Sequence, residues 1–204
     1  MPEPIVAVLL AGGRATRMGG GDKCLRPLAG RPILDHVLGR ISPQVGAVAL
    51  SANGGAERFA AWTLPVLADG VPGHPGPLAG ILAGMRWAAR VHPEAARILS
   101  VPSDTPFLPA DLVARLQAAE GGSADAIVIA ASAGRRHPVV ALWPVALADA
   151  LEAALRAGER KVGAFAVNYR CVAADFDAVS GDPFLNINRP EDLAAAEARL
   201  AARS

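Results

Sequence analysis

The apolar run Ile5–Leu10 opens directly into a glycine-rich stretch over residues 11–23, and this junction constrains the fold more than any other feature. Six consecutive Ile, Val, Ala and Leu residues read as a strand buried on both faces, the type found in parallel sheets. The stretch that follows holds five glycines, two arginines and one lysine, and a helical pattern comes next. Glycines permit positive φ and close backbone approach. A strand opening into such a loop presents backbone N–H groups and cations to an anion such as phosphate.

The rest of the chain repeats the strand-then-helix rhythm. Strands are predicted over Ile5–Leu10, Val45–Ala52, Arg97–Val101, Ala126–Ala131, Val139–Trp143 and Arg170–Ala174. Helices are predicted over Ile33–Ile41, Ala56–Trp62, Leu78–Val91, Ala110–Ala119, Val145–Ala157 and Glu191–Ala202. Pro109 and Pro190 stand where a first helical residue would, with Asp111, Glu191 and Asp192 in the opening turns. Gly158 reads as a helix C-cap. The alternation predicts an α/β fold: one three-layer domain, a mostly parallel sheet with helices on both faces. At 204 residues the chain suits one such domain, and no repeat or low-complexity linker divides it.

Two common phosphate loops are excluded. A dinucleotide fingerprint needs G-x-G-x-x-G, but Arg14 and Ala15 occupy the third position in the two registers. A Walker loop needs Gly-Lys-Ser/Thr, but Lys23 follows Asp22 and precedes Cys24. What remains is L-A-G-G-x-x-x-R-M-G-G-x-D-K-x-L, with Arg17 and Lys23 able to neutralise phosphate charge.

Net charge is +1, so any anion site is local, and nothing points to nucleic acid or a membrane surface. No apolar run approaches the roughly 18 residues of a membrane span. Cys24 and Cys171 lie far apart and form no CxxC, which fits a reducing compartment. The opening residues lack a basic segment and a cleavage site. A soluble cytoplasmic protein is the expectation.

Ligands of open α/β sheets bind beyond the carboxyl ends of the strands, and several polar residues fall there. Asp104 follows the strand Arg97–Val101. On spacing alone it reads equally as a Mg²⁺ ligand or as an Asx turn before Pro106. Asn53 and Asp69 follow apolar stretches and, alone, read as turn residues. Gly76, Gly80 and Gly84 share a helix face, suited either to a ligand or to tight helix–sheet packing. Asn186 and Asn188, at i and i+2 of an extended segment, can present two amides together. His137 reads as structural, and Trp62, Trp87 and Trp143 as core or near-core packing. Cys24 has no histidine near it in sequence and is not read as a nucleophile.

Taken together these segments resemble the MobA family of molybdenum cofactor guanylyltransferases. The resemblance runs along nearly the whole chain. Beyond the loop it rests on residues 74–80 (HPGPLAG), 101–109 (VPSDTPFLP), 136–139 (RHPV), 158–162 (GERKV) and 184–193 (FLNINRPEDL). It implies a Rossmann-like nucleotidyltransferase fold, with a nucleotide-binding half over about residues 1–110 and an acceptor half over about 111–204. It implies GMP transfer from GTP to the phosphate of Mo-molybdopterin, with Mg²⁺ as cofactor. It makes Asp104 the metal ligand, with Arg17 and Lys23 as catalytic cations. GTP contacts fall to Leu10, Ala11, Gly12, Gly13, Lys23, Asn53, Asp69 and Asp104, and the pterin side to Gly76, Gly80, Arg160, Asn186 and Asn188. Other cofactor-biosynthesis proteins and molybdoenzyme chaperones are implied partners. Departures are small: Arg189 stands before Pro190, and Ser103 before Asp104. A cytidylyltransferase for the same cofactor is the nearest alternative. Relatives of that kind tend to carry Ala-Ala-Gly where this chain has Ala11-Gly12-Gly13. A non-catalytic GTP- or pterin-binding carrier is the other alternative.

Overall fold

The computed structural model describes residues 4–12, 22–69, 76–179 and 181–202. Gly13, Arg17 and most of the glycine-rich stretch therefore lie outside the described residues, as do residues 70–75. In chain order the elements begin with β1 (Val6–Leu10) and the small antiparallel hairpin β2 (Pro27–Leu28) and β3 (Arg31–Pro32). Next come α1 (Ile33–Ile41), β4 (Ala47–Ser51), β5 (Val66–Leu67), α2 (Pro77–Val91), β6 (Arg97–Pro102) and α3 (Leu112–Ala119). The chain finishes with β7 (Ile127–Ser132), β8 (Arg135–Pro144), α4 (Ala148–Arg156), α5 (Val162–Ala166), β9 (Cys171–Phe176) and α6 (Pro190–Ala201).

Seven strands form one sheet in the order β5-β4-β1-β6-β8-β7-β9. All neighbours pair in parallel except β8, which runs antiparallel to both β6 and β7. The period-2 alternation of each strand feeds two cores. On one face Ala7, Leu9, Leu99 and Val101 meet Ile33, Val37 and Ile41 of α1, Leu112 and Leu116 of α3, and Ala196 of α6. On the other, Val6, Val8 and Ile98 meet Leu78, Ile81 and Met85 of α2, Leu151 and Leu155 of α4, and Phe165 of α5. The expected three-layer α/β architecture is present. Trp143 is fully buried, and its indole N–H donates to the Ser100 hydroxyl at 2.8 Å, which itself donates to the Val139 carbonyl. That chain of bonds satisfies the polar groups of a serine at the sheet centre.

Several boundaries differ from the sequence reading. Residues Ala56–Trp62 form a 3-10 helix rather than an α-helix, closed by Thr63 at φ 52°. Seven residues between paired glycines and a Thr-Leu-Pro exit are too few to sustain an α-helical nucleus. The helix predicted from Ala110 starts at Leu112, with Asp111 at its N-cap, so Pro109 precedes the helix. β8 starts four residues before the predicted Val139. Its first half, Arg135–Pro138, is polar and carries a proline, so it lacks a strand pattern. A two-residue turn at Ala133 (φ 47°) and Gly134 (φ 74°) folds it back onto β7.

The glycine face of α2 is explained mostly by packing. A Cβ at Gly84 would stand 2.8 Å from Val8 Cγ1 and 3.1 Å from Ile98 Cδ1. One at Gly80 would stand 2.6 Å from Leu10 Cδ2 and from Ser51 Oγ. Both positions bring α2 against the central strands. Gly84→Val is therefore expected to destabilise the fold by about 2–3 kcal/mol through overpacking. Thermal unfolding followed by circular dichroism should show a midpoint lower by roughly 4–10 °C. An unchanged midpoint would contradict the packing role.

Candidate active site

The carboxyl ends of three parallel strands lie level with one another. Leu10 of β1 is in register with Ser51 of β4 and Pro102 of β6. The chain moves from β1 outward to β4 and β5, then crosses back to β6 on the other flank of β1. This reversal opens the crevice in which α/β sheets bind ligands. The edge is tied by backbone bonds: Ala11 N–H to the Ser51 carbonyl at 2.8 Å, and Ser103 N–H to the Leu10 carbonyl at 3.2 Å. The Ser103 hydroxyl donates to that same Leu10 carbonyl at 3.0 Å.

A cleft of about 440 Å³ occupies this edge. Leu10 at the end of β1 and Gly12 just beyond it line the cleft, with Asn53 after β4 and Asp69 after β5. Gly76 and Gly80 contribute from the start of α2, Asp104 from the turn after β6, and Asn186 and Asn188 from the segment before α6. Most of the residues singled out in the sequence thus converge on one cavity of ligand-binding size.

Its polar centre is Asp104, whose side chain is only 14% exposed. Asn186 Nδ2–H donates to Asp104 Oδ1 at 2.8 Å, and the Ile187 N–H donates to the Asp104 carbonyl at 3.0 Å. Lys23 Nζ stands 3.7 Å from Asp104 Oδ2 and donates to Asn188 Oδ1 at 2.5 Å. Burial raises the Asp104 carboxyl above the ordinary aspartate range, against the downward pull of the Asn186 amide and the Lys23 charge. The result is a carboxylate held in place on one oxygen, with the other turned to a cation. Lys23 is positioned by a 3-10 turn, Lys23–Leu25, whose middle residue Cys24 is buried. Burial pushes the Cys24 thiol up to about 11, which removes it as a nucleophile at neutral pH.

A second pair lies across the cleft. Asn53 Nδ2–H donates to Asp69 Oδ2 at 2.5 Å, and the Asp69 N–H donates back to Asn53 Oδ1 at 3.2 Å. Arg58, which the sequence reading passed over, braces this corner. Its guanidinium bonds the Asn53 carbonyl at 2.6 Å and stands 2.6 Å from the Asp22 carboxylate. It therefore joins the loop after β4 to the end of the glycine-rich stretch. The only sequence signal was a basic residue soon after Asn53, in a segment with no motif.

Arg160 lies apart from the cleft. Its guanidinium donates to the Leu155 and Glu159 carbonyls at 3.0 and 2.7 Å, over the end of α4, and it lines no part of the cleft. A basic side chain past a helix end finds the free carbonyls of the last turn. The Asn186 and Asn188 amides do lie together, but they are bonded to the Asp104–Lys23 pair rather than standing apart from it. His137 is also more connected than the sequence suggested. Its Nε2 pairs with the Ser132 hydroxyl at 2.8 Å, and that hydroxyl donates to Asp182 at 2.9 Å. Among the described residues no cluster of three His, Cys, Asp or Glu side chains could hold a metal, and no helix is long and apolar enough to cross a membrane.

A switch-point cleft holding an aspartate and a lysine behind a glycine-rich strand exit is placed to bind a phosphorylated ligand. Residues 7–171 match the family model of the MobA-like NTP transferase domain, and the chain belongs to that family. It is 52% identical over 198 residues to the molybdenum cofactor guanylyltransferase of Rhodopseudomonas palustris strain BisB5, covering 97% of this chain and 94% of that one. It is 54% identical over 193 residues to the enzyme of the same name from Acidiphilium cryptum strain JF-5, covering 94% and 93%. In fold it resembles molybdopterin-guanine dinucleotide biosynthesis protein A from Archaeoglobus fulgidus, with a TM-score of 0.77 and 24% identity over 98% of this chain and 100% of that one. It also resembles Rv0371c of Mycobacterium tuberculosis H37Rv in complex with manganese, with a TM-score of 0.69 and 20% identity over 96% and 98% of the two chains.

Proposed function

We propose that the chain transfers GMP from GTP to the phosphate of Mo-molybdopterin, forming Mo-molybdopterin guanine dinucleotide and pyrophosphate. The observation that carries this reading is near full-length identity above one half to molybdenum cofactor guanylyltransferases. In the reaction an acceptor phosphate oxygen bonds to the α-phosphorus of GTP. The bond from that phosphorus to the bridging oxygen breaks, and pyrophosphate leaves with the electron pair.

The nucleophile is a phosphate monoester with a second pKa of about 6, so it is already largely dianionic at neutral pH. No general base is required, and the Asp104 carboxylate is already engaged by the Asn186 amide and faces the Lys23 ammonium. The barrier is the approach of two anions, and catalysis comes from positioning and charge neutralisation. Lys23 stabilises charge developing on the transferred phosphoryl group. The Asn186 and Asn188 amides hold Asp104 and Lys23 in place. Arg17 supplies a further cation, and Gly12 and Gly13 let the phosphates approach the backbone. Asn53 and Asp69 face the guanosine, with their side chains fixed by each other and the Asn53 carbonyl braced by Arg58.

The donor set fits Mg²⁺. Asp104 is a buried, hard oxygen ligand whose Oδ2 accepts no short hydrogen bond from Lys23 at 3.7 Å. Mg²⁺ is commonly held by one or two carboxylates together with phosphate oxygens and water. When bound, the ion neutralises phosphate charge and polarises the α-phosphorus. GTP and two reduced cysteines suit a cytoplasmic setting. The nucleotide is held mainly by residues before about 110 and the acceptor by residues beyond it.

The test is purified protein with Mg²⁺, molybdopterin carrying molybdenum, and labelled GTP or CTP. Transfer from GTP but not CTP is expected. Preferential transfer from CTP would favour the cytidylyltransferase, and tight binding of both substrates without pyrophosphate release would favour a carrier.

A further inference from the structure

Arg58 lines no part of the cleft, yet its guanidinium holds together two segments that serve it. We infer that Arg58 is a positioning residue for the transfer: it keeps the turn that bears Lys23 at a set distance from the Asn53–Asp69 corner, so that one nucleotide meets both. The inference rests on the transferase reading above and adds to it a residue outside the cleft.

A nucleotide has a limited span between its base and its α-phosphate, so the groups that meet its two ends must keep a matching spacing. Here those groups sit on separate segments, Asn53 after β4 and Lys23 after the glycine-rich stretch. Arg58 spans them. On one side its Nη2 and Nη1 donate to the Asn53 and Gly55 carbonyls at 2.6 and 2.5 Å. On the other its buried Nε stands 2.6 Å from Oδ2 of Asp22, the residue just before Lys23. Asp22 occupies the N-cap of the turn Lys23–Leu25, and its carbonyl accepts the Leu25 N–H at 3.2 Å. An N-cap aspartate ordinarily turns its carboxylate onto the N–H groups of its own turn. Asp22 makes no such bond and faces Arg58 instead. The loop after β4 is shaped to admit the guanidinium: Gly54 has φ 92°, and a Cβ there would stand 3.1 Å from Arg58 Nη1. Arg58 is itself anchored. The Phe59 ring, buried in the core, lies 4.7 Å from the guanidinium carbon, and Trp62 of the same 3-10 helix donates to Asp35 of α1 at 2.6 Å. A lone surface ion pair is worth little. This one has side chains only 25% and 20% exposed, and the same guanidinium carries two carbonyl bonds to a different segment.

The test is a double-mutant cycle between Arg58→Ala and Asp22→Ala. Each single variant should lower kcat about tenfold, the cost of a displaced lysine. The double variant should be no slower than the slower single, because both substitutions break one link. Binding supplies an arm free of catalysis. Asp22→Ala should weaken GTP about threefold, the worth of a partly exposed charge contact. It should leave guanosine, which has no phosphate for Lys23 to meet, bound as in the wild type by equilibrium dialysis. Arg58→Ala should weaken both ligands, because it also releases the Asn53 carbonyl. Losses in kcat that multiply in the double variant would overturn the inference, as would wild-type kcat in either single variant. So would a lowered unfolding midpoint with equal loss of GTP and guanosine in both variants, the mark of a merely structural role. If Arg58→Ala fails to fold, Arg58→Lys replaces it, since an ammonium reaches the carboxylate or the carbonyls but lacks the fork that holds both. If wild-type protein transfers nothing from GTP, the transferase reading fails, and the split between GTP and guanosine still decides the role of Arg58.

Discussion

Asp104→Asn is expected to lower turnover by about a thousandfold or more while leaving the fold at least as stable at pH 7. Charge-stabilising groups in water-excluded sites are worth factors of about 10²–10³ each, and Asp104 combines that role with metal binding. The substitution keeps the shape and the acceptor for the Asn186 amide at 2.8 Å. It removes only the charge. Burial holds the Asp104 carboxyl above its ordinary range, so the folded protein binds that proton more tightly than the unfolded chain does. Its stabilising contribution is present below the unfolded value and is lost as pH rises through the raised folded value. At neutral pH the ionised group is therefore a cost to the fold, and the neutral amide relieves it. Unfolding midpoints and turnover measured on one preparation check both halves. A sharp fall in stability would contradict this account, and so would near-normal turnover.

Lys23→Ala is expected to reduce turnover by about a hundredfold or more, and to change its pH dependence. The Lys23 charge pulls the Asp104 carboxyl down against burial. Without it the carboxyl rises further, so a higher pH is needed to ionise it. The acid limb of kcat against pH should move upward in the variant. Stability should change little, because the Lys23–Asn188 bond is solvent-exposed. An acid limb in the wild-type position would separate Lys23 from Asp104.

Much of this was legible from pattern alone. The Ile5–Leu10 run could be little else than a central parallel strand, and its exit marked the ligand edge. Pattern alone put Asp104, Asn53 and Asp69 at strand ends on that edge, where they do line the cleft, but left each open to a plain turn reading; only the family resemblance gave them roles. What escaped was set by tertiary contact. β5 is two residues long, and α5 is a single turn containing Gly163, so neither carries a periodic signal. Arg135 and His137 lie on a polar half-strand that only the Ala133–Gly134 turn makes part of the sheet. For Arg160 the sequence leaves two uses open, because a basic residue after a helix serves a substrate or a carbonyl equally well, and in the structure it bonds the Leu155 and Glu159 carbonyls. Asn186 and Asn188 were paired correctly by their spacing. Their bonds to Asp104 and Lys23 cross 82 and 165 residues, distances over which local pattern has no reach.

The most direct measurement follows two labels through one turnover. GTP carrying label on its α-phosphorus should pass that label to the molybdopterin product. GTP labelled on its γ-phosphorus should deliver it to pyrophosphate, one for each dinucleotide formed. Label from the γ-position on the acceptor would mean phosphoryl rather than nucleotidyl transfer. Release of free phosphate without dinucleotide would mean hydrolysis. Either result would contradict a cleft in which Asp104 and Lys23 act at the α-phosphorus.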